Sequence, residues 1–143
     1  MFERPPLRFE AGTPNIAGAV GLQAALAYLT RLGLPWIRTR ERQLDRRLAQ
    51  VLEQVPGVKL LGPPEGRMGM VSFVCEGASA FDVAVMLDKL GAAVRSGSHC
   101  AVPQMRRLGV SSAVRVSPAF YNTEKELEAF ACHLRHVLGV LRR

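Results

Sequence analysis

The residues with the clearest capacity for chemistry lie in one short segment, Arg95-Ser96-Gly97-Ser98-His99-Cys100-Ala101. The pattern around it predicts a loop between a strand end and a helix start, where a rigid scaffold positions side chains and substrate can reach them. Arg95, His99 if protonated, and the N-terminus of the following helix would all favour a thiolate at Cys100. Because the thiolate is the attacking form, Cys100 is a candidate nucleophile. The alternative is a partly buried, unreactive thiol.

The other two cysteines, Cys75 and Cys132, are predicted to be packed and inert. Cys75 ends an apolar run, and Cys132 lies within a helical pattern. The three cysteines are widely spaced and contain no Cys-x-x-Cys pair, so the sequence predicts no zinc ribbon, no redox pair and no metal site. Reduced thiols of a cytosolic protein are the simplest interpretation, and we expect a cytoplasmic location.

Hydrophobic periodicity indicates the elements that must position the cysteine loop. Two successive amphipathic helices are predicted over residues 13–33 and 35–55. Capping-box spacings at Ser79 and Thr123 predict two more helices, and a shorter helix ends at Gly109. The predicted strands are residues 58–61, 68–75, 92–95 and 113–117. With too few strands for a doubly wound sheet, this mixture predicts an α+β fold in which helices pack on one face of a small sheet.

Composition limits the class of protein. The sequence has 143 residues, 48% of them hydrophobic, which suits one domain of ordinary size and excludes a wholly disordered chain. No apolar run reaches the roughly 18–20 residues of a membrane-spanning helix. No apolar stretch follows the charged N-terminus, as it would in a signal peptide. We therefore expect a soluble protein without a membrane partner.

The formal net charge of +7 raises the question of nucleic-acid binding. The densest basic group, residues 38–47, is interleaved with Glu41 and Asp45 on a predicted helix, which is typical of a solvated helix face. No zinc-finger spacing, RNP-like aromatic strand or basic-zipper heptad accompanies the charge. The sequence therefore does not favour a nucleic-acid partner, and a basic nucleic-acid module is the last of the alternatives.

Three stretches, matching in order and spacing, resemble the C-terminal part of cysteine desulfurases, most closely the Suf type. They are Arg8-Phe9-Glu10-Ala11-Gly12-Thr13-Pro14-Asn15; Arg95-x-Gly97-x-His99-Cys100-Ala101 with Pro103 and Met105-Arg106-Arg107-Leu108-Gly109; and Arg115-x-Ser117 with Tyr121-Asn122-Thr123. These enzymes are pyridoxal-phosphate-dependent members of the class-V aminotransferase family. The resemblance covers nearly the whole chain. It implies the mainly antiparallel α+β small domain of fold-type I pyridoxal-phosphate enzymes.

The resemblance implies a role for each matching residue around the loop. Cys100 would be the catalytic cysteine that takes sulfur from L-cysteine, leaving L-alanine and an enzyme persulfide. Arg115 would hold the substrate carboxylate, for which a bidentate guanidinium is well suited. Arg95 would stand at the base of the loop as a second substrate-binding residue, and His99 would have a supporting role.

The cofactor-binding residues that the resemblance implies are incomplete in this sequence. Gly12 and Thr13 match residues that reach the pyridoxal phosphate of the neighbouring subunit in a homodimer, and a capped helix N-terminus after Thr13 would attract that phosphate. The cofactor also needs a Schiff-base lysine and an acidic partner, which in this family come from a large domain. Lys59 lies on a predicted strand, and Lys89 and Lys125 lie on predicted helices. None of them matches the family's lysine.

The resemblance to cysteine desulfurases implies two domains in this chain and leaves three hypotheses for its function. Residues 1–33 are interpreted as a segment and helix connecting from an absent large domain, and residues 34–143 as the C-terminal small domain that carries the cysteine loop. The first hypothesis is a portion of a cysteine desulfurase, inactive alone, that passes sulfur to an acceptor protein for iron–sulfur cluster assembly. The second is a standalone persulfide carrier or interaction module without pyridoxal-phosphate chemistry. The third is a truncated, silent gene product.

Overall fold

The structure, a computed structural model, describes residues 3–64, 66, 67 and 69–143. The described chain divides into two compact units, residues 3–37 and residues 38–143. The division falls inside helix α2, Leu34–Glu53. The boundary between the two units thus differs from the boundary between the predicted domains, 1–33 and 34–143. That domain division stays a prediction.

The first unit contains a short 3-10 helix, Leu7–Phe9, and helix α1, Ile16–Leu32. α1 begins later than predicted because Asn15, and not Thr13, caps it: the Asn15 side chain accepts a hydrogen bond from the N–H of Gly18 at 2.8 Å. Gly33, with φ of +88°, ends the helix as predicted. In the described part of the chain, no single helix has the length and apolar composition to cross a membrane.

Within the described residues, the second unit holds a four-stranded antiparallel sheet in the order β1-β2-β4-β3. After α2 its elements are β1 Val58–Leu61, β2 Val71–Cys75, α3 Ala80–Lys89, β3 Arg95–Gly97, α4 Val102–Arg107, β4 Ala113–Val116 and α5 Glu124–Leu141. The α+β fold predicted from the sequence is therefore confirmed.

Three strands differ from the predicted ranges, β4 only in ending one residue early, at Val116. The prediction of a strand over 92–95 is wrong in its position, because β3 begins at Arg95, the last residue of the predicted range. The N–H of Ala92 donates to the carbonyl of Leu87 at 2.9 Å, which continues the turn that ends α3. β2 begins at Val71, and the predicted start at Met68 lies outside the described residues.

The core of the second unit lies between the sheet and helices α2, α3 and α5. Phe73 on β2 and Val114 on β4 are opposite each other in the register and fully buried. Alternate residues of these strands, Ser72 and Arg115, face the other side of the sheet because successive side chains on a strand point in opposite directions. The apolar helix faces predicted from periodicity supply the rest of the core: Leu44, Leu48, Val51, Leu52, Val83, Leu87, Leu127, Phe130, Leu134, Val137 and Leu138.

The turn between α2 and β1 is held by an arginine from the far end of the chain. Arg142 donates from Nη1 to the carbonyl of Pro56 and from Nε to the carbonyl of Glu76, both at 3.0 Å. Gly57 lies in this turn with φ of +74°, and a Cβ built on it would collide with Nη2 of Arg142. A side chain at position 57 would therefore displace the guanidinium of Arg142.

We expect Gly57→Ala to lower the free energy of unfolding by more than Gly91→Ala does. Both glycines have positive φ, +74° and +81°, so alanine at either position carries about 1–2 kcal/mol of left-handed strain. A Cβ at Gly91 meets nothing within 4 Å, whereas one at Gly57 displaces Arg142 from two carbonyls and costs about 1 kcal/mol more. Urea unfolding measures the difference. It should vanish in an Arg142→Ala background, and its persistence there would show that Arg142 is not the cause.

Candidate active site

Cys100 lies on a tight turn that joins β3 to α4. The N–H of Ala101 donates to the carbonyl of Ser98 at 2.9 Å and closes the turn. Its central residues, His99 and Cys100, both have positive φ angles of +54° and +56°, as in a type I′ turn. The left-handed conformation costs a residue other than glycine about 1–2 kcal/mol. Such strain persists only where surrounding contacts hold it, and here it presents an exposed thiol in a fixed position.

The turn is tied to the neighbouring strand by the imidazole of His99. Nε2 of His99 lies 3.1 Å from the carbonyl oxygen of Ala113 on β4. Because a carbonyl oxygen only accepts, this bond assigns the ring hydrogen to Nε2 and leaves Nδ1 as an acceptor. Nδ1 is buried and has no hydrogen-bond partner among the described residues. With its hydrogen on Nε2, the neutral His99 ring presents a lone pair at Nδ1 and no N–H.

From the sequence, His99 is expected to favour a thiolate at Cys100 if its imidazole is protonated. The structure disfavours the protonated form. Burial lowers the pKa of His99, the hydrogen bond to Ala113 raises it, and the positive charges of Arg115 and Arg95 lower it further. The net effect is a pKa below that of an ordinary histidine, which favours the neutral form of His99. Its support for Cys100 is the hydrogen bond that anchors the turn.

Two arginines face each other across the strands next to this turn. Arg95 on β3 is directly opposite Arg115 on β4, and Ser72 on β2 is opposite Arg115 from the other side. Residues in such register project on the same face of the sheet. In the part of the chain that is described, neither arginine forms an ion pair, and Nε of Arg115 is buried without a hydrogen-bond partner.

This arginine pair is suited to a carboxylate. Like charges directly opposite each other on a sheet destabilise it, and a bound anion would remove that repulsion. A guanidinium binds a carboxylate through two parallel hydrogen bonds, which are among the stronger polar contacts in proteins. The arrangement can thus fix the acidic end of a small substrate beside the Cys100 turn.

The segment that follows Arg115 is fixed by contacts that sequence reasoning missed. Arg40 on α2 donates from Nη2 to the carbonyl of Asn122 at 3.1 Å. The Asn122 side chain in turn accepts a hydrogen bond from the N–H of Ala119 at 2.9 Å. Thr123 and Glu126 form the predicted capping box at the start of α5. The capping box and the bond between Ala119 and Asn122 are local, whereas the Arg40 contact joins residues far apart in the sequence.

Gly12 and Thr13 belong to the first unit. Both residues are exposed, and a Cβ on Gly12 would meet nothing within 4 Å. The physical reason offered for Thr13, that it caps a helix, is wrong because Asn15 is the cap. Their contact with the cofactor phosphate of a neighbouring subunit therefore stays a prediction that rests on the resemblance.

The lysines of this chain do not fit the covalent attachment of pyridoxal phosphate. Lys59 lies on the edge strand β1, Lys89 ends α3, and Lys125 lies in the first turn of α5. All three are exposed, whereas a cofactor that carries chemistry is held in an enclosed, oriented site. The arginine pair and Cys100 suit the substrate side of the reaction, and the cofactor side must come from other residues.

The remaining cysteines behave differently from each other. Cys75 is half-buried and packs against the core, and burial raises the pKa of its thiol to about 11, so it is inert as predicted. Cys132 is exposed on α5, so the prediction that it is packed is wrong. Among the described residues, no group of three or more His, Cys, Asp or Glu side chains could hold a metal ion.

Sequence comparison matches residues 1–130 to the family described as aminotransferase class-V. A probable cysteine desulfurase of Xylella fastidiosa (strain 9a5c) is 45% identical over 141 residues, which are 99% of this chain and 34% of that protein. A cysteine desulfurase of Synechococcus elongatus is 44% identical over 137 residues, 96% of this chain and 22% of that protein. The chain thus spans about a third or less of the length of these relatives.

Solved structures give the same result for the fold. The apo structure of a cysteine desulfurase from Thermococcus onnurineus NA1 superimposes with a TM-score of 0.87 and 41% identity, covering 96% of this chain and 35% of that one. The cysteine desulfurase CsdA of Escherichia coli, in an S-sulfonic acid form, gives a TM-score of 0.86 and 30% identity, with coverage of 96% and 34%.

Proposed function

Because this chain belongs to the class-V aminotransferase family, we propose that it supplies the sulfur-accepting cysteine and the carboxylate-binding arginines of a cysteine desulfurase. The resemblance to cysteine desulfurases drawn from three motifs is confirmed by relatives and structures that match nearly the whole chain. The observation that carries the proposal is the pairing of Arg95 with Arg115 beside a turn that exposes Cys100.

The proposed reaction moves one sulfur atom from L-cysteine to Cys100. The Cβ–S bond of L-cysteine breaks, a bond forms between that sulfur and Sγ of Cys100, and a proton is delivered to Cβ. The products are L-alanine and a Cys100 persulfide, with no net oxidation or reduction. Pyridoxal phosphate, when bound by the complete enzyme, supplies the electron sink that makes the Cβ–S bond labile.

This chain's own residues contribute binding and position. Arg115 and Arg95 hold the substrate carboxylate, which fixes the direction in which the substrate thiol extends. The type I′ turn holds Cys100 at the surface, and the bond from His99 to Ala113 ties that turn to the strand that carries Arg115. Nδ1 of His99 is buried and has no hydrogen-bond partner among the described residues, so it is available as an acceptor next to the turn.

We further propose that the working enzyme is a cytoplasmic homodimer and that it passes the persulfide sulfur to an acceptor protein for iron–sulfur cluster assembly. Exposure of Cys100 on a turn supports transfer to a partner, because the outer sulfur of a persulfide must be reached by a second nucleophile. Gly12 and Thr13 would complete the cofactor site of the neighbouring subunit.

We expect the isolated chain to release no sulfide from L-cysteine above a control with free pyridoxal phosphate and reductant. Borohydride reduction followed by peptide mapping should label no single lysine, because Lys59, Lys89 and Lys125 are all exposed. A chimera in which this chain replaces the matching segment of the Xylella fastidiosa relative should release sulfide and carry its persulfide on Cys100. A chimera that binds the cofactor but forms no persulfide would contradict the proposal.

A second candidate function is a persulfide carrier that receives sulfur from a separate enzyme. The exposed Cys100 and the absence of a fitting lysine favour it. The test is incubation of the isolated chain with an active desulfurase and L-cysteine, followed by mass mapping. Persulfide on Cys100 but not on the equally exposed Cys132 would support the carrier, and failure of any donor to load Cys100 would exclude it.

A further inference from the structure

We propose that a cavity between α2 and the residues Pro64, Gly66 and Arg67 binds a small phosphate monoester that also carries a hydroxyl group. The cavity has a volume of about 480 Å³ and is lined by Arg42, Asp45, Arg46 and Arg67. Pockets of about 300–1,000 Å³ are typical of sites for small molecules. None of its lining residues belongs to the Cys100 turn or to the arginine pair on β3 and β4.

Asp45 in this cavity is a buried carboxylate of which only one oxygen has a hydrogen-bond donor among the described residues. Asp45 is 1% exposed. Its Oδ2 accepts a hydrogen bond from the N–H of Gly69 at 2.6 Å, while Oδ1 is buried and has no partner among the described residues. A buried polar atom without a partner is costly and uncommon in native proteins. A ligand in this cavity that donates a hydrogen bond to Oδ1 would remove that cost.

The guanidinium of Arg67 is held in place by two hydrogen bonds, and one of its nitrogens has no acceptor among the described residues. Arg67 donates from Nε to the carbonyl of Pro63 at 2.9 Å and from Nη2 to the carbonyl of Gly62 at 3.4 Å. Its Nη1 is buried and, within the described chain, has no acceptor. Asp45 and Arg67 do not pair with each other as an ion pair. The cavity thus contains both an unused acceptor and an unused donor.

The described residues that line the cavity carry an excess of positive charge. Arg42 and Arg46 lie one helical turn apart on α2 and line the same cavity. No carboxylate in the described residues forms an ion pair with either side chain. Among the described residues, the three guanidinium groups that line the cavity outnumber the carboxylate of Asp45 and that of Glu41, which acts on Asp45 electrostatically, and this favours an anion. Arginine binds the oxygens of phosphate in bidentate fashion. A hydroxyl on the same ligand would donate to Oδ1 of Asp45, which would otherwise repel an anion.

The experiment is calorimetric titration of the full chain with glycerol 3-phosphate, with glycerol as the ligand that lacks phosphate. We expect glycerol 3-phosphate alone to bind, and the Arg42→Gln/Arg46→Gln variant to bind at least about 30-fold more weakly, since two charge-assisted contacts are lost. The matched control is Arg38→Gln/Arg135→Gln, which removes the same charge from exposed positions that do not line this cavity. It should retain the affinity of the unmodified chain.

A second readout locates the ligand. In nitrogen-15 spectra of the full chain, glycerol 3-phosphate should shift the amide resonance of Gly69, and the shift should disappear in Arg42→Gln/Arg46→Gln. An equal loss of affinity in the control variant would overturn the proposal, because it would indicate general charge attraction. Tighter binding of duplex DNA, with a strong dependence on salt, would also overturn it in favour of a nucleic-acid surface. So would the absence of binding at millimolar glycerol 3-phosphate.

Discussion

Replacing Cys100 by serine is expected to lower the rate of sulfur transfer by at least about a thousandfold in the chimeric desulfurase. A serine hydroxyl keeps the size of the side chain and the turn, but it is a poor nucleophile towards sulfur at neutral pH. Sulfide release from L-cysteine and mass mapping of the persulfide measure the effect. Thermal unfolding of the variant checks that the turn is still formed.

The matched control for this prediction is Cys132→Ser. Both thiols are exposed, so general oxidation or labelling affects them alike, but only Cys100 lies beside the arginine pair. We expect Cys132→Ser to keep full activity. Equal activity of the two variants would show that sulfur does not pass through Cys100 and would remove the basis of the proposed function.

Arg115→Gln is expected to lower kcat/KM for L-cysteine by about a hundredfold, mainly through KM, because two charge-assisted hydrogen bonds to the substrate carboxylate are lost. Arg115→Lys should recover little of this loss, since a point charge does not reproduce the planar fork. Initial rates of persulfide formation over a range of L-cysteine concentrations give both constants. Burial of Nε supports a directional role for Arg115 over a purely electrostatic one.

Cysteamine, which has a thiol and an amine but no carboxylate, separates binding from structural damage. Arg115→Gln should lower the rate with L-cysteine far more than the slower rate with cysteamine. Arg107→Gln, at an exposed position on α4, should change neither. A parallel fall with both substrates would mean that Arg115 acts on the fold or on another group, and the carboxylate assignment would be wrong.

The helices could be predicted because their signals are local. The apolar stripes of α2 and α5 repeat at helical spacing, and the residues so predicted, such as Leu44, Leu48 and Leu134, are buried in the core. Thr123 and Glu126 form the capping box that their spacing predicts. The start of α1 was missed because Thr13 and Asn15 are both good cap residues, and periodicity alone does not choose between neighbours.

The candidate site was predictable only in part. The loop and Cys100 follow from residue types within a few positions of each other. The alignment of Arg95 with Arg115 depends on the register of β3 and β4, which pairs residues from distant parts of the sequence. The lowered pKa of His99 comes first from burial and then from Arg115 and Arg95, which the same pairing brings near the ring, while the hydrogen bond to Ala113 opposes it. The protonation of His99 therefore depends on how the strands pair, which local sequence does not reveal.

The turn at His99 and Cys100 places folding and chemistry in opposition. Asn-Gly is the pair that a type I′ turn favours, because asparagine and glycine adopt positive φ with the least strain. A chain selected only for stability would therefore replace these two residues first, and it would lose the thiol in doing so. The turn is less stable with His99 and Cys100 than with Asn-Gly, but only the cysteine provides an exposed nucleophile in a fixed place. This is a trade-off between stability and activity.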